Sequence, residues 1–463
     1  MKYALFALAC LGMVPLAVLG AVNRRAFGFL AAMLVVPVLA YVNTSINPIS
    51  FEWYRGTSRG YEIFLAHLFA FAVMLALLLR QKKISFAPDL GAWLYLAYFA
   101  WSCVSLVNSV NPLYSGAEIW KMAMVLCVFA ASYSFLCATK DATPLMVGFA
   151  IVLVGMFFQV VRQHFGGIWQ VRGPFAHQNT LAMFLVMSVP VFFAYYLNVE
   201  KGPKALRWLF VAAFFLGSGC LIRTYSRGAI ACYPISCGLV LGLSLLHDFK
   251  MKKIFRLVPL GILGLCGFLV ILPRVISRFE YAPKSSGQTR VEFARVARNM
   301  IKDQPIFGVG LNNWGIKVNP PYPYWKDTGR SGAGDDGIVE TVYLLVCAEC
   351  GIPGFLLMVA WYLYNLLSCL RLAKRLAGTA WFYLPVGIAG GLTGCYLQSC
   401  LEWVLKQSVT LIELVLLFSV VSFLNVHWKS LLGHGEKKPA ELPKRKRTVI
   451  PHHLQLDPVE HED

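Results

Sequence analysis

What most limits this chain is the recurrence of apolar runs about 17–25 residues long, the length a helix needs to cross a hydrocarbon core about 30 Å thick. They fall near residues 2–22, 26–42, 61–79, 90–107, 117–137, 144–161, 180–198, 205–222, 228–246, 254–272, 338–367, 380–400 and 406–426. In hydrocarbon every backbone N–H and C=O needs a partner from the protein itself, so runs of this kind predict helices. The expected fold is therefore all-α, a polytopic transmembrane helical bundle of 12–13 spans. The lower number applies if the first run is re-entrant. Composition agrees: 58% of residues are hydrophobic and 14% charged, where soluble domains carry roughly 25% charged residues. The first 22 residues also have the make-up of a signal peptide. Because Arg24-Arg25 and a second apolar run follow directly, we read them as a retained span.

The turns between runs alternate in charge. One set holds Arg24 and Arg25, Arg80 with Lys82 and Lys83, Lys140, Lys201 with Lys204 and Arg207, Lys250 through Arg256, and Arg371 through Arg375. Cytoplasmic loops carry such an excess of Lys and Arg, so this set is assigned inside and the poorer set outside. Thirteen spans then place the N-terminus outside and the C-terminus inside. The net charge of +19 is thereby a statement about topology rather than a nucleic-acid footprint. Three regions result: a membrane domain over 1–427, a large outer loop over 273–337 within it, and a basic, disordered cytoplasmic tail over 428–463 whose run Lys444–Arg447 suits anionic lipid.

The outer loop is not low in complexity. Gln288 to Lys302 is amphipathic, with Val291, Ala294, Ala297 and Ile301 on one side and Arg295, Arg298 and Lys302 on the other. This predicts a helix lying on the membrane surface. Pro305 ends it, Gly308 and Gly310 give a tight turn, and Gly329 to Gly337 reads as a flexible stretch carrying Asp335-Asp336. The thirteen cysteines lie mostly in apolar runs and predict neither a disulfide framework nor, at Cys347-x-x-Cys350, a metal site.

Arginines on the outer side are the informative residues, because the charge bias should have removed them. Arg172, Arg223, Arg227 and Arg290 stand out among them. Several arginines converging on one place make a site for a planar-oxygen anion such as a diphosphate; taken singly, each is equally compatible with snorkelling to lipid headgroups. Glu340 opens the span after the large loop, and a carboxylate at the mouth of a bundle can serve as a general base. Glu349 lies deeper and reads as an ion-pair partner, and Glu402 and Lys406 are spaced to pair with each other on a helix. His177 is placed equally for a loop hydrogen bond or a substrate site. No metal-ligand spacing, nucleotide-binding loop or nucleophile elbow occurs, so neither a metal nor another cofactor is expected.

Four segments appear in a telling order: Gly173-Pro174-Phe175 with Asn179; Ser226-Arg227-Gly228-Ala229; Arg290 followed by Pro305-Ile306-Phe307-Gly308-Val309-Gly310; and Tyr343-Leu344 with Glu349-x-Gly351-x-Pro353-Gly354. Together they resemble the O-antigen ligase and polymerase family, over residues 90–425 with the core in 170–360. The resemblance implies a membrane-embedded glycosyltransferase of the C-type architecture in the bacterial inner membrane. Such enzymes take a glycan from undecaprenyl diphosphate at the periplasmic face, without metal or nucleotide sugar. Its acceptor would be lipid A core, another lipid-linked glycan in a polymerase, or a protein hydroxyl. The family's arginines in the Ser-Arg-Gly turn and the large loop match Arg227 and Arg290. Its His-Asn-x-Tyr-Leu segment is departed from: Glu340 stands at the His and Thr341 at the Asn, which leaves Glu340 or His177 as the base. Arg172, Arg223, His177 and Tyr343 are then candidate substrate contacts, and inversion at the anomeric carbon is expected. A lipid-linked oligosaccharide transporter or flippase needs similar spans and arginines and stands as the alternative of another class. Against it, no matching pair of broken helices marks the two halves.

Overall fold

A computed structural model describes residues 2–40, 45–85, 89–247, 249–258, 261, 272–273, 276, 284–329 and 337–432. The structure is helical apart from a pair of two-residue antiparallel strands, Ser45–Ile46 with Ile63–Phe64. Among the described residues nine helices are long and apolar enough to cross a membrane. They are α1 (Lys2–Val22), α4 (Leu90–Val104, with a 3-10 extension to Asn108), α5 (Pro112–Thr139), α6 (Thr143–Phe165), α7 (Gln178–Asn198), α8 (Lys204–Arg223), α9 (Arg227–His247), α12 (Val342–Arg375) and α14 (Ser408–Leu432). Further helices are α2 (Arg24–Ala32), α3 (Leu65–Leu79) and α13 (Tyr383–Gln398) in the bundle, and α10 (Lys284–Asp303) and α11 (Trp314–Lys317) in the large loop.

The predicted spans map onto these helices, with differences at several ends. The run at 26–42 is not one helix: α2 stops at Ala32, and a 3-10 turn over Val36–Ala40 follows. Pro37 lacks the N–H that would continue the α-helical ladder. The last helix runs through Leu432 rather than ending near 427. The tenth predicted span, most of Gly329–Gly337 with Asp335-Asp336, and the tail beyond Leu432 lie outside the described residues, apart from the few positions named above.

Helices α7 and α14 form the centre, with 94% and 89% of their spans buried, whereas α1 is 17% buried and presents its apolar side chains outward. Helix α13 lodges between α7 and α9 through one stripe of glycines, at helical spacing. A methyl group at Gly391 would strike the Met187 carbonyl, and one at Gly387 the Val191 backbone; at Gly394 it would strike the Ser236 hydroxyl. Without a hydrophobic drive between helices in lipid, close backbone approach of this kind supplies the packing.

The two ends of the bundle carry different sequence. At one end the Lys- and Arg-rich turns meet. Arg80 Nε donates to the Gly20 carbonyl (3.0 Å), Lys253 Nζ donates to Asn198 (2.7 Å), and the Arg375 guanidinium lies 4.6 Å over the Trp428 ring. At the other end residues 54–58, 109–118, 304–318 and 402–407 meet, which the charge alternation assigns to the opposite side.

Candidate functional site

The large loop is docked on the bundle by its own amphipathic helix. Phe293, Val296, Ala297 and Met300 of α10 are buried with Val309, Trp314, Ile338, Val339, Leu345 and Ala348. This corrects the sequence expectation. The buried stripe covers protein and is rotated away from Val291 and Ala294, while Ala297 and Ile301 of the expected face stay on it; Val291 is exposed. The rotation has a consequence for chemistry. Arg290 lies one turn before Phe293 and two before Ala297, so helical spacing puts it on the protein-facing stripe.

Two of the family-like motifs interlock. Helix α12 is broken at Gly351, which takes φ 72° and ψ −179°. A break frees backbone groups that hydrocarbon cannot satisfy. The Pro305–Gly310 turn supplies the partners: Val309 N–H donates to Ala348 O (2.8 Å), Gly310 N–H to Glu349 O (3.2 Å), and Ile352 N–H donates to Pro305 O (2.8 Å). The Trp101 indole N–H takes the Cys350 carbonyl (2.9 Å). Methyl groups at Gly308 or Gly351 would strike the Glu349 carbonyl or the Ile306 carbonyl, respectively. These glycines are therefore needed for contact as well as for conformation.

Beneath this turn the loop is pinned by buried polar groups. Asn312 Oδ1 accepts from Thr57 N (2.9 Å) and Ser58 N (3.3 Å), and its amide donates to Ser58 O (2.9 Å) and Tyr114 O (2.8 Å). Asn313 likewise accepts from Asn111 N (3.0 Å) and donates to Ser109 and Ser115. A buried ionic cluster ties four elements together. Lys406 Nζ lies 3.4 Å from Glu118 and 3.2 Å from Glu349, Lys121 Nζ lies 2.7 Å from Glu118, and Thr57 and Ser58 donate hydroxyls to Glu118 (2.7 and 2.6 Å). The expected Glu402–Lys406 pair is thus replaced. Residues 399–407 form a turn and a short 3-10 helix, not an α-helix, so the i, i+4 rule does not hold there. The ion-pair reading of Glu349 is borne out.

Released from Lys406, Glu402 faces the other way and completes a second charged group. Arg290 Nε donates to Glu340, and Arg290 Nη2 lies 3.3 Å from Glu402 Oε1. Asn179, at the start of α7, donates to the same oxygen (2.7 Å). Burial pushes the Glu402 carboxyl up to about 7; the neighbouring Glu340 adds to this, and Arg290, the Asn179 bond and the Arg227 charge act against it. His177 caps α7, its Nδ1 accepting from Asn179 N–H (3.2 Å). Loss of hydration lowers its proton affinity, and the Glu340 charge partly restores it.

Of the sequence-predicted residues, Arg290 and Glu340 are brought into contact, while Arg227 and His177 are linked to the group through charge alone, Arg227 acting on Glu402 and Glu340 on His177. Glu402 and Asn179 join them. The predicted general base is itself held by an arginine. Arg172 stands at the edge, its guanidinium on the Ala176 carbonyl (3.5 Å). Arg223 ends α8, half-exposed. Tyr343 is committed to packing: its hydroxyl donates to Tyr396 O (3.0 Å). Glu340 and Arg290 are each about one-third exposed and Glu402 only 10%, so Glu340 faces the opening and Glu402 stands behind it. Among the described residues no cluster of three His, Cys, Asp or Glu is placed to hold a metal ion.

A helical bundle with this gathering of charged side chains at the loop-bearing end defines a multi-pass membrane protein with a candidate site under its large loop. Residues 212–359 match the family model described as O-antigen ligase, which bears out the resemblance read from the motifs and contains Arg227, Arg290, Gly308, Glu340 and Gly351. Over this segment the chain is similar to the O-antigen ligase family, and this supports a membrane glycosyltransferase-like role in O-antigen processing. No curated protein matches the chain.

Proposed function

We propose that the protein transfers a glycan from undecaprenyl diphosphate to an acceptor hydroxyl at the outer, periplasmic face of the bacterial inner membrane. The observation that carries this reading is the meeting of Arg290, Glu340 and Glu402 at the end of the bundle covered by the large loop, with the Arg227 charge acting on Glu402. As the anomeric C–O bond breaks, its electron pair stays on the diphosphate. Arg227 and Arg290, with Arg172 at the edge, stabilise that charge. Preorganised donors of this kind contribute about 3–4 kcal/mol each in a water-poor site. Glu340, the more exposed carboxylate, takes the proton from the attacking hydroxyl. Attack from the face opposite the leaving group inverts the anomeric centre, and no metal enters the step.

Glu402 holds Arg290 from behind together with Asn179. When the diphosphate arrives, it competes with both carboxylates for the guanidinium, which frees Glu340 to act as a base. The acceptor we favour is lipid A core. The test is Arg290→Ala: transfer should fall about 10²–10³-fold with the protein still present in the membrane at the normal level. Undiminished transfer would overturn the reading. Glu340→Gln should lose about 10²–10⁴-fold, and near-normal turnover by it would move the base elsewhere.

A further inference from the structure

We propose that Trp169, stacked on Tyr225, is a sugar-binding platform that takes a pyranose ring of the glycan whose diphosphate Arg227 holds; the proposal rests on the glycosyl-transfer reading above. Trp169 lies in the outer turn between α6 and α7, and 54% of it is exposed. Its ring is nearly parallel to that of Tyr225, with centroids 5.0 Å apart and planes 9° from each other. One indole face is thus covered and the other is open.

Both partners are held in place from the backbone. Tyr225 is buried and has φ 50°, a left-handed conformation that a bulky residue adopts only when its surroundings impose it. Its turn is fixed by the Thr224 hydroxyl, which donates to Leu221 O (2.7 Å) and accepts from Ser226 N–H (3.2 Å). Arg227 is the next residue. On the other side Gln163 closes the Trp169 turn: its amide donates to Gly173 O (2.7 Å), and its oxygen accepts from Arg172 N–H and Gly173 N–H (2.9 Å each). The platform is therefore built onto the two turns that carry Arg227 and Arg172.

The chemistry fits a sugar. The face of an aromatic ring carries partial negative charge, and one face of a pyranose presents a patch of polarised C–H bonds. Hydroxyls at the ring edge would find Arg172 close by. The competing explanation is a tryptophan of the interfacial aromatic belt. A belt residue needs only depth in the membrane, not a fixed ring plane against the site's own arginine turn.

The experiment compares binding of undecaprenyl diphosphate with and without an attached oligosaccharide to purified protein in lipid nanodiscs. Trp169→Ala should weaken the glycan-bearing carrier about tenfold and leave the bare carrier unchanged. Trp169→Phe should restore most of the difference. Arg290→Ala should weaken both carriers alike. Equal loss of both carriers in Trp169→Ala, or loss of neither, would overturn the platform. Failure of Arg290→Ala to weaken the bare carrier would instead count against the diphosphate site itself.

Discussion

Replacing Gly351 with alanine tests why two distant motifs belong together. Gly351 sits at φ 72° and ψ −179°, a region essentially reserved for glycine, where another residue costs about 1–3 kcal/mol. Its new methyl group would also strike the Ile306 carbonyl, so the Pro305–Gly310 turn must move. The three backbone bonds it makes to the broken helix, at 2.8, 2.8 and 3.2 Å, are then lost or stretched. Each contributes about 0.5–1.5 kcal/mol, and strain and lost bonds together come to about 5 kcal/mol, comparable with the whole stability of many domains. The assay is the unfolding midpoint in detergent, read beside the rate of protease cutting in the large loop. Gly351→Ala should lower the midpoint and expose the loop. Gly308→Ala should do the same from the opposite side, and the double variant should be little worse, because both break one interlock. Gly238→Ala, which meets open space in α9, is the control and should be neutral or slightly stabilising. An unchanged midpoint and intact protection in Gly351→Ala would refute the interlock.

Two further predictions concern the charged groups. Lys406→Met removes the only bridge between Glu118 and Glu349 among the described residues, leaving Glu349 with the Trp314 N–H (3.3 Å) alone. The unfolding midpoint should fall by the equivalent of about 3–5 kcal/mol, and adding Glu349→Met should recover much of it; a full-strength single variant would contradict the cluster's role. Glu402 is an acid whose folded-state affinity for a proton is raised from 4.5 to about 7. Between those values the folded protein binds more protons than the unfolded chain, so stability falls as pH rises, by about 3 kcal/mol in all. The midpoint of the natural protein should drop across pH 5–7, and the curve of Glu402→Gln should be flatter there by that amount; parallel curves would refute the assignment.

The bundle was legible because composition and run length are themselves the physics of a membrane helix. The grouping of the turns by charge was legible as well, and the segments assigned to the outside do meet at one end. Motif order, and an arginine standing where topology disfavours it, pointed to Arg290 and Glu340, which do meet; Arg227 and His177 are tied to that group through charge alone. What stayed hidden depended on neighbours. Helix α10 carries two overlapping apolar stripes, one through Val291 and Ala294 and one through Phe293 and Met300. Only the hydrophobic wall around Trp314 and Leu345 decides which is buried. Glu402 was hidden by a local rule: spacing to Lys406 suggested a helical pair, but the chain there is a turn, and each residue finds a partner more than 50 positions away. The link between Gly308 and Gly351 could be noticed as co-occurrence, whereas its cause, a helix break whose freed backbone groups are answered by a turn, needed the fold.

The most direct test of the central claim is a reconstitution of the purified protein in liposomes with a defined undecaprenyl diphosphate-linked oligosaccharide and lipid A core, without nucleotide, added metal or ion gradient. A new glycosidic bond, inverted at the anomeric carbon, is expected with the natural protein, and none above background with Arg290→Ala. Movement of the intact carrier across the bilayer with no new bond would contradict it and favour a flippase.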